Sequence, residues 1–151
     1  MQIQKTIGEF VGESKAPLLG RDATVGEAIK VMTERNSTCV LVVEDDKLIG
    51  IFTERDFLMR VVASKLDVNG TPLRDVMTAS PDALRLTDCI TYAVNLMGLG
   101  GYRNVPIVDD DNRPISNLSV YYVTSHLAEV FSEFDEGSSE QDEWTDIGGG
   151  G

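Results

Sequence analysis

TVGEAIKVM (Thr24–Met32) returns 65 residues later as CITYAVNLM (Cys89–Met97), and this recurrence decides the fold. In the first copy Val25, Ala28, Ile29 and Met32 fall at i, i+3, i+4 and i+7, and in the second Ile90, Ala93, Val94 and Met97 take the same places. Apolar residues at that spacing make one face of an amphipathic helix. A stripe that recurs at a fixed offset, ending each time in methionine, marks an internal repeat.

Reading outward, each helix is followed by a β-branched run, CVLVVE (Cys39–Glu44) or NVPIVD (Asn104–Asp109). A polar turn comes next, and then LIGIFT (Leu48–Thr53) or PISNLS (Pro114–Ser119). Each set reads as a β-hairpin. The second turn, Asp109 to Arg113, is one residue longer, which moves the offset to 66 and aligns Gly50 with Ser116. A closing helix follows both hairpins, with Phe57, Val61 and Val62 in the first copy and Val123 and Leu127 in the second, extended by Val130, Phe131 and Phe134. A short extended lead-in precedes each copy, Pro17–Leu19 and Asp82–Leu84. The sequence therefore predicts an α/β (α+β) chain of two β-α-β-β-α repeats. The expected divisions are 1–66 for the first repeat with its N-terminal lead-in, 67–76 for a linker, 77–134 for the second repeat and 135–151 for a tail. The linker reads as a loop from Gly70 and Pro72, and the acidic, Gly- and Ser-rich tail is too poor in apolar residues to order itself.

Composition narrows the function. Of 151 residues, 42% are hydrophobic and 25% charged, with no apolar run near the length of a spanning helix, which is about 20 residues. The opening MQIQKTIGEFVGES lacks the basic start and apolar stretch of a secretory signal, so a cytoplasmic location is expected. The net charge is −12, and the last 19 residues hold seven acids and no Lys or Arg, leaving −5 on the rest. That balance predicts neither a nucleic-acid nor a membrane partner. Trp144 and Ile147, set among those acids, form a segment that either docks on a protein partner or only solubilises the end. Cys39 and Cys89 lie in apolar periodic segments and read as buried thiols, not as a disulfide or zinc pair. The acids at Glu44–Asp46 and Asp109–Asp111 read as solvated hairpin turns, without calcium-loop spacing. His126 has no nucleophile or carboxylate at triad-like spacing, and no catalytic set can be named, so the chain is expected not to be an enzyme.

The order of elements, the stripe ending in Met, YRNVPIVD (Tyr102–Asp109) and above all GIFTERD (Gly50–Asp56) resemble the paired cystathionine-β-synthase (CBS) domain, or Bateman module, over about Lys5 to Phe131. The resemblance implies two repeats packed sheet to sheet with pseudo-twofold symmetry. It also implies clefts that bind an adenine nucleotide (AMP, ADP or ATP) or S-adenosylmethionine as a regulatory ligand reporting on energy status, with no required cofactor. A homodimer is expected with it, since apolar helix faces left over from the pair need cover. With no catalytic, channel or DNA-binding segment in the sequence, the output is expected to pass to another protein; the alternative is a scaffold used only for association.

Within that resemblance Thr53 and Asp56 form the ribose motif. A carboxylate one turn after a hydroxyl can accept from both ribose hydroxyls, while the hydroxyl and the free N–H groups face phosphate. The same residues also make a helix capping box, which needs no ligand, and the two readings are compatible. Gly50 is read as letting a ligand approach the backbone. Thr24 and Glu27 form a second such box, read as capping alone. Arg55 on the closing helix, and Arg103 with Asn104 at the strand start before Pro106, are phosphate candidates against a solvent-facing alternative. Arg60 is a similar candidate, with the surface role preferred. In the second repeat Ser119 keeps the hydroxyl, but Tyr122 stands where the aspartate belongs and is expected to fill or floor that cleft, so at most one complete ribose site is expected.

Overall fold

The CVLVVE run forms strand β2 (Cys39–Glu44), whose first four residues are fully buried. The computed structural model describes residues 5–11 and 15–138. Strand β2 pairs in parallel with β1 (Leu18–Gly20) and antiparallel with β3 (Lys47–Thr53); a two-residue edge strand, β4 (Thr78–Ala79), completes a sheet ordered β1-β2-β3-β4. The second repeat contributes the hairpin of β5 (Asn104–Val108) and β6 (Pro114–Ser119). Leu84 pairs in parallel with Ile107, the place β1 takes beside β2, so the second lead-in is a single bridge where the first is a strand.

Alternation along the strands divides the first sheet between two layers. Val40, Val42 and Phe52 pack against Val25, Ala28 and Met32 of the helix α2 (Val25–Glu34). Cys39, Leu41, Leu48 and Ile51 point the other way and meet Val108 of β5. Burying each such aliphatic side chain contributes about 1.5–3 kcal/mol. One end of this sheet-to-sheet contact is closed by Leu48 N–H on the Asn112 carbonyl at 2.9 Å and Asn112 Nδ2 on the Leu48 carbonyl at 3.0 Å. The matching helix of the second repeat, α5 (Ile90–Gly100), stops at Gly101, whose φ of 72° is a left-handed cap that glycine adopts without a Cβ clash.

Two one-turn helices depart from the sequence reading. The linker expected as a loop contains α4 (Leu73–Val76), whose Leu73 and Val76 are buried in the first repeat's core. It is tied there by Val25 N–H on Thr71 O at 3.0 Å and Leu73 N–H on Ala23 O at 2.8 Å. The N-terminal lead-in carries α1 (Ile7–Phe10), which binds the second repeat, with Ile90 N–H on Lys5 O at 2.9 Å and Ile7 N–H on Asp88 O at 2.8 Å. These bonds correspond pair for pair, so each repeat is completed by a helix lying before the other in sequence. Gly70 and Pro72 signal the start of α4, and Pro suits a helix start because its missing N–H would have no intrahelical partner there.

The first closing helix also differs. One α turn, α3 (Glu54–Asp56), passes into a π-helical segment, Phe57–Val62. Of the residues expected to pack from it, Val61 is buried and Val62 is half exposed.

The chain divides after Val120 into two compact units. The second closing helix, α6 (Val120–Ser138), runs past the expected boundary at 134, so the residues 135–138 read as tail are helical. Trp144 and the rest of that tail lie outside the described residues. Within the second unit, the Tyr122 ring stacks on His126 with centroids 6.1 Å apart. No helix among the described residues is long and apolar enough to cross a membrane.

Candidate functional site

Thr53 ends β3 in an extended conformation (φ −118°, ψ 170°) and caps α3. Its N–H donates to Asp56 Oδ2 at 3.0 Å, its hydroxyl donates to the same oxygen at 3.1 Å, and the Asp56 N–H returns a 3.3 Å bond to Thr53 Oγ1. The capping box is therefore formed. The other carboxylate oxygen, Oδ1, accepts from Thr78 Oγ1 of β4 at 2.9 Å and faces Arg60 Nε at 3.4 Å. A carboxylate offers about four acceptor positions. Asp56, only 7% exposed, accepts three hydrogen bonds from the chain itself and pairs with the Arg60 cation. A ribose hydroxyl that binds this carboxylate competes with these groups.

Thr78 was not legible as part of this group, because it lies 22 residues from Asp56 and joins it only through its register opposite Ile51. Arg60, read as a surface residue, also holds the Met77 carbonyl through Nη1 at 2.9 Å. Helical spacing from Asp56 was the available signal for Arg60.

Gly50 has a packing role that the sequence did not reveal. A Cβ built on it would lie 2.3 Å from Met77 Sδ and 3.2 Å from Thr78 O. The glycine is required because β4 crosses against β3 at Gly50↔Ala79 with Met77 packed over it.

The remaining candidates are taken in turn. Cys39 pairs with Thr53 across β2 and β3, and the Glu54 N–H reaches Thr38 O at 3.3 Å. Thr38 Oγ1 in turn donates to Asn104 Oδ1 at 3.1 Å, and Asn117 Nδ2 donates to the same oxygen at 2.9 Å. Asn104 is thus buried as a tie between the two repeats, its carbonyl oxygen turned to Thr38 and Asn117. Ser119 lies opposite Asn104 in register. Arg55 and Arg103 are exposed; the backbone carbonyl of Arg103 receives the Val120 N–H at 2.8 Å. Tyr122 is 40% exposed and leans on His126. Beside the junction a recess of about 270 Å³ opens, lined by Ile29, Met32, Asn36, Phe52, Glu54 and Phe57.

The two cysteines part company. Burial pushes the Cys39 thiol up to about 12, against a weaker opposing effect of Ser37. Cys89, expected to be buried, instead occupies the N-cap of α5 and is only partly covered; the Thr91 hydroxyl, at 3.2 Å from its sulfur, lowers its pKa.

Residues 9–63 match the model of the CBS domain family. The CBS domain-containing protein CBSCBSPB1 of Arabidopsis thaliana is 37% identical over 101 residues, a span of 67% of this chain and 19% of that relative. The chain thus spans about one-fifth of the length of this curated relative. Among solved structures, a CBS domain protein, NE2398, superposes with a TM-score of 0.76 at 27% identity, covering 82% of this chain and 98% of the other. A CBS domain protein from Pyrobaculum aerophilum complexed with AMP superposes with a TM-score of 0.72 at 20% identity, covering 84% and 98%. With the first repeat matched by the family model and the second placed by the internal repeat and by these folds, the chain is a tandem pair of CBS domains.

Proposed function

We propose that this chain is a regulatory module, not an enzyme, that binds an adenine nucleotide or related adenosyl ligand where Thr53 and Asp56 meet. The observation that carries the reading is the carboxylate of Asp56, held at a strand-to-helix junction with the Thr53 hydroxyl beside it. Asp56 would take the ribose hydroxyls, and the exposed Arg55 beside it would face phosphate. The AMP complex of the Pyrobaculum aerophilum protein supports the ligand class. In this reading the module works as a homodimer in the cytoplasm and passes its signal to a protein partner by altering how the repeats pack.

Isothermal titration with AMP, ADP, ATP and S-adenosylmethionine tests it, run in parallel on Asp56→Ala. The expected result is binding near one ligand per chain, weakened in the variant by about 1.5–3 kcal/mol, the range for a charged acceptor. Binding that is the same in both proteins would remove Asp56 from the site. A second reading, a pair used only as an association scaffold, is favoured by the three internal hydrogen bonds and the Arg60 pairing on Asp56 and by Tyr122 in the second repeat. It expects no heat from any of the four ligands and a loss in stability alone for Asp56→Ala.

A further inference from the structure

Strand β4 is two residues long and lies at the sheet edge, paired at Gly50↔Ala79 and Ile51↔Thr78. The Ser80 N–H continues the ladder to Ile49 O at 3.0 Å, and the Met77 N–H reaches Leu73 O at 2.8 Å, while the ties made by side chains converge on one place. Thr78 Oγ1 holds Asp56 Oδ1 at 2.9 Å, Arg60 Nη1 holds the carbonyl of Met77 at 2.9 Å, and Arg60 Nε faces that same Asp56 oxygen at 3.4 Å. Short edge segments with few buried apolar contacts open locally at low free energy, so such ties decide whether β4 stays on the sheet. A few residues later Leu84 pairs with β5, its N–H on Pro106 O at 3.0 Å. Strand β4 is thus the covalent and hydrogen-bonded bridge from the Asp56 junction to the second repeat.

We propose that Thr78 and Arg60 are internal competitors for the Asp56 carboxylate, and that β4 is the element that reports ligand occupancy. The inference rests on the reading of Asp56 as a ribose acceptor. Because Oδ1 already accepts from Thr78 and pairs with Arg60, a ribose hydroxyl that takes it displaces Thr78, Arg60 or both. The displaced groups release Met77 and Thr78, and the edge strand loosens along the path to Leu84. Ligand affinity and the order of β4 are then linked in opposite senses, as two competitors for one acceptor must be.

The test pairs titration with hydrogen exchange, using AMP, ADP, ATP, S-adenosylmethionine and adenosine on wild type, Thr78→Val, Thr78→Ser, Arg60→Met and Asp56→Ala. Thr78→Val is expected to bind about 2- to 10-fold more tightly than wild type, the fold-change for losing one competing hydrogen bond. Thr78→Ser keeps a hydroxyl and should behave as wild type. Arg60→Met should bind adenosine more tightly, a readout free of any phosphate contact. In wild type, amide exchange over residues 77–80 should rise on saturation with the bound ligand, and in Thr78→Val it should be raised beforehand. If wild type binds and Asp56→Ala does not, while neither Thr78→Val nor Arg60→Met gains affinity, the competition is refuted and the ribose reading stands. Should no protein in the set bind any of these ligands, both fall together. Binding by Thr78→Val alone would support both, the competitor then masking the site in wild type.

Discussion

Gly50→Ala separates two accounts of one residue. If the glycine only leaves backbone open for a ligand, the substitution should leave stability intact and weaken binding. The structure gives it a packing role, since the new Cβ would lie 2.3 Å from Met77 Sδ, 3.0 Å from Met77 Cγ and 3.2 Å from the Thr78 carbonyl oxygen. Ordinary carbon contacts sit at about 3.5–4.0 Å, so the end of Met77 must move by more than an ångström. Met77 is flexible, but the Thr78 oxygen is backbone and is held by β4. Overpacking of this kind costs about 1–3 kcal/mol. Removing a glycine from a strand returns about 0.5–1 kcal/mol of chain entropy. The expected net loss is about 1–2 kcal/mol, read from urea unfolding midpoints at constant slope. In a Met77→Ala background the clash disappears, and the same Gly50→Ala change should become neutral or slightly stabilising. The coupling from the double-mutant cycle should then be about 1–3 kcal/mol. A Gly50→Ala protein as stable as wild type, or a cost that persists unchanged without Met77, would refute the argument.

Asn104→Ala should behave as a loss of structure, because it leaves the Thr38 hydroxyl and the Asn117 amide without their shared acceptor. The expected cost is about 1–3 kcal/mol by chemical unfolding, and a nucleotide affinity that falls with stability unchanged would return Asn104 to the phosphate role. Cys39 supplies a pH test: the unfolded thiol loses its proton near 9.0 and the folded one near 12, so its contribution is present below 9 and is lost as pH rises toward 12. Stability should therefore fall above pH 9 by up to about 1.4 kcal/mol per pH unit more in wild type than in Cys39→Ala. Iodoacetamide at pH 8 should modify Cys89 before Cys39, as followed by mass spectrometry, since Cys89 is partly exposed with a lowered pKa while Cys39 is buried.

What could be read in the sequence was local. Strands β2 and β6 fall where CVLVVE and PISNLS placed them, because a β-branched or alternating run bounded by turn residues carries its own signal. The Thr24–Glu27 and Thr53–Asp56 boxes were legible because both partners lie three residues apart. Helices α1 and α4 were not. A single turn has no period to detect, and each is held by bonds to residues of the repeat to which its own sequence does not belong. The π-helical turn after Asp56 looks like an α-helix in composition. Gly50 carried a true signal, a close approach, but the sequence could not say that Met77 is what approaches.

The departures from symmetry are informative in the same way. Aligned through their registers, Cys39 and Ile51 on the inner face of the first sheet correspond to Asn104 and Asn117 in the second. The first pair is apolar and packs with Val108, whereas the second is joined by a hydrogen bond from the Asn117 amide to Asn104 Oδ1, which also accepts from Thr38 of the facing repeat. At the strand-to-helix junction the contrast is reversed, with a buried, multiply bonded carboxylate in the first repeat and Tyr122, stacked on His126, at the matching sequence position in the second. A duplicated fold free to diverge need keep an expensive buried carboxylate only where it is used, because a buried charge must be fully satisfied to be tolerated. The first repeat meets that demand with donors drawn from β3, the closing helix and β4 together. In the proposed reading, that is why the two-residue strand β4, and not the larger second hairpin, would be the element whose order responds to a ligand on Asp56.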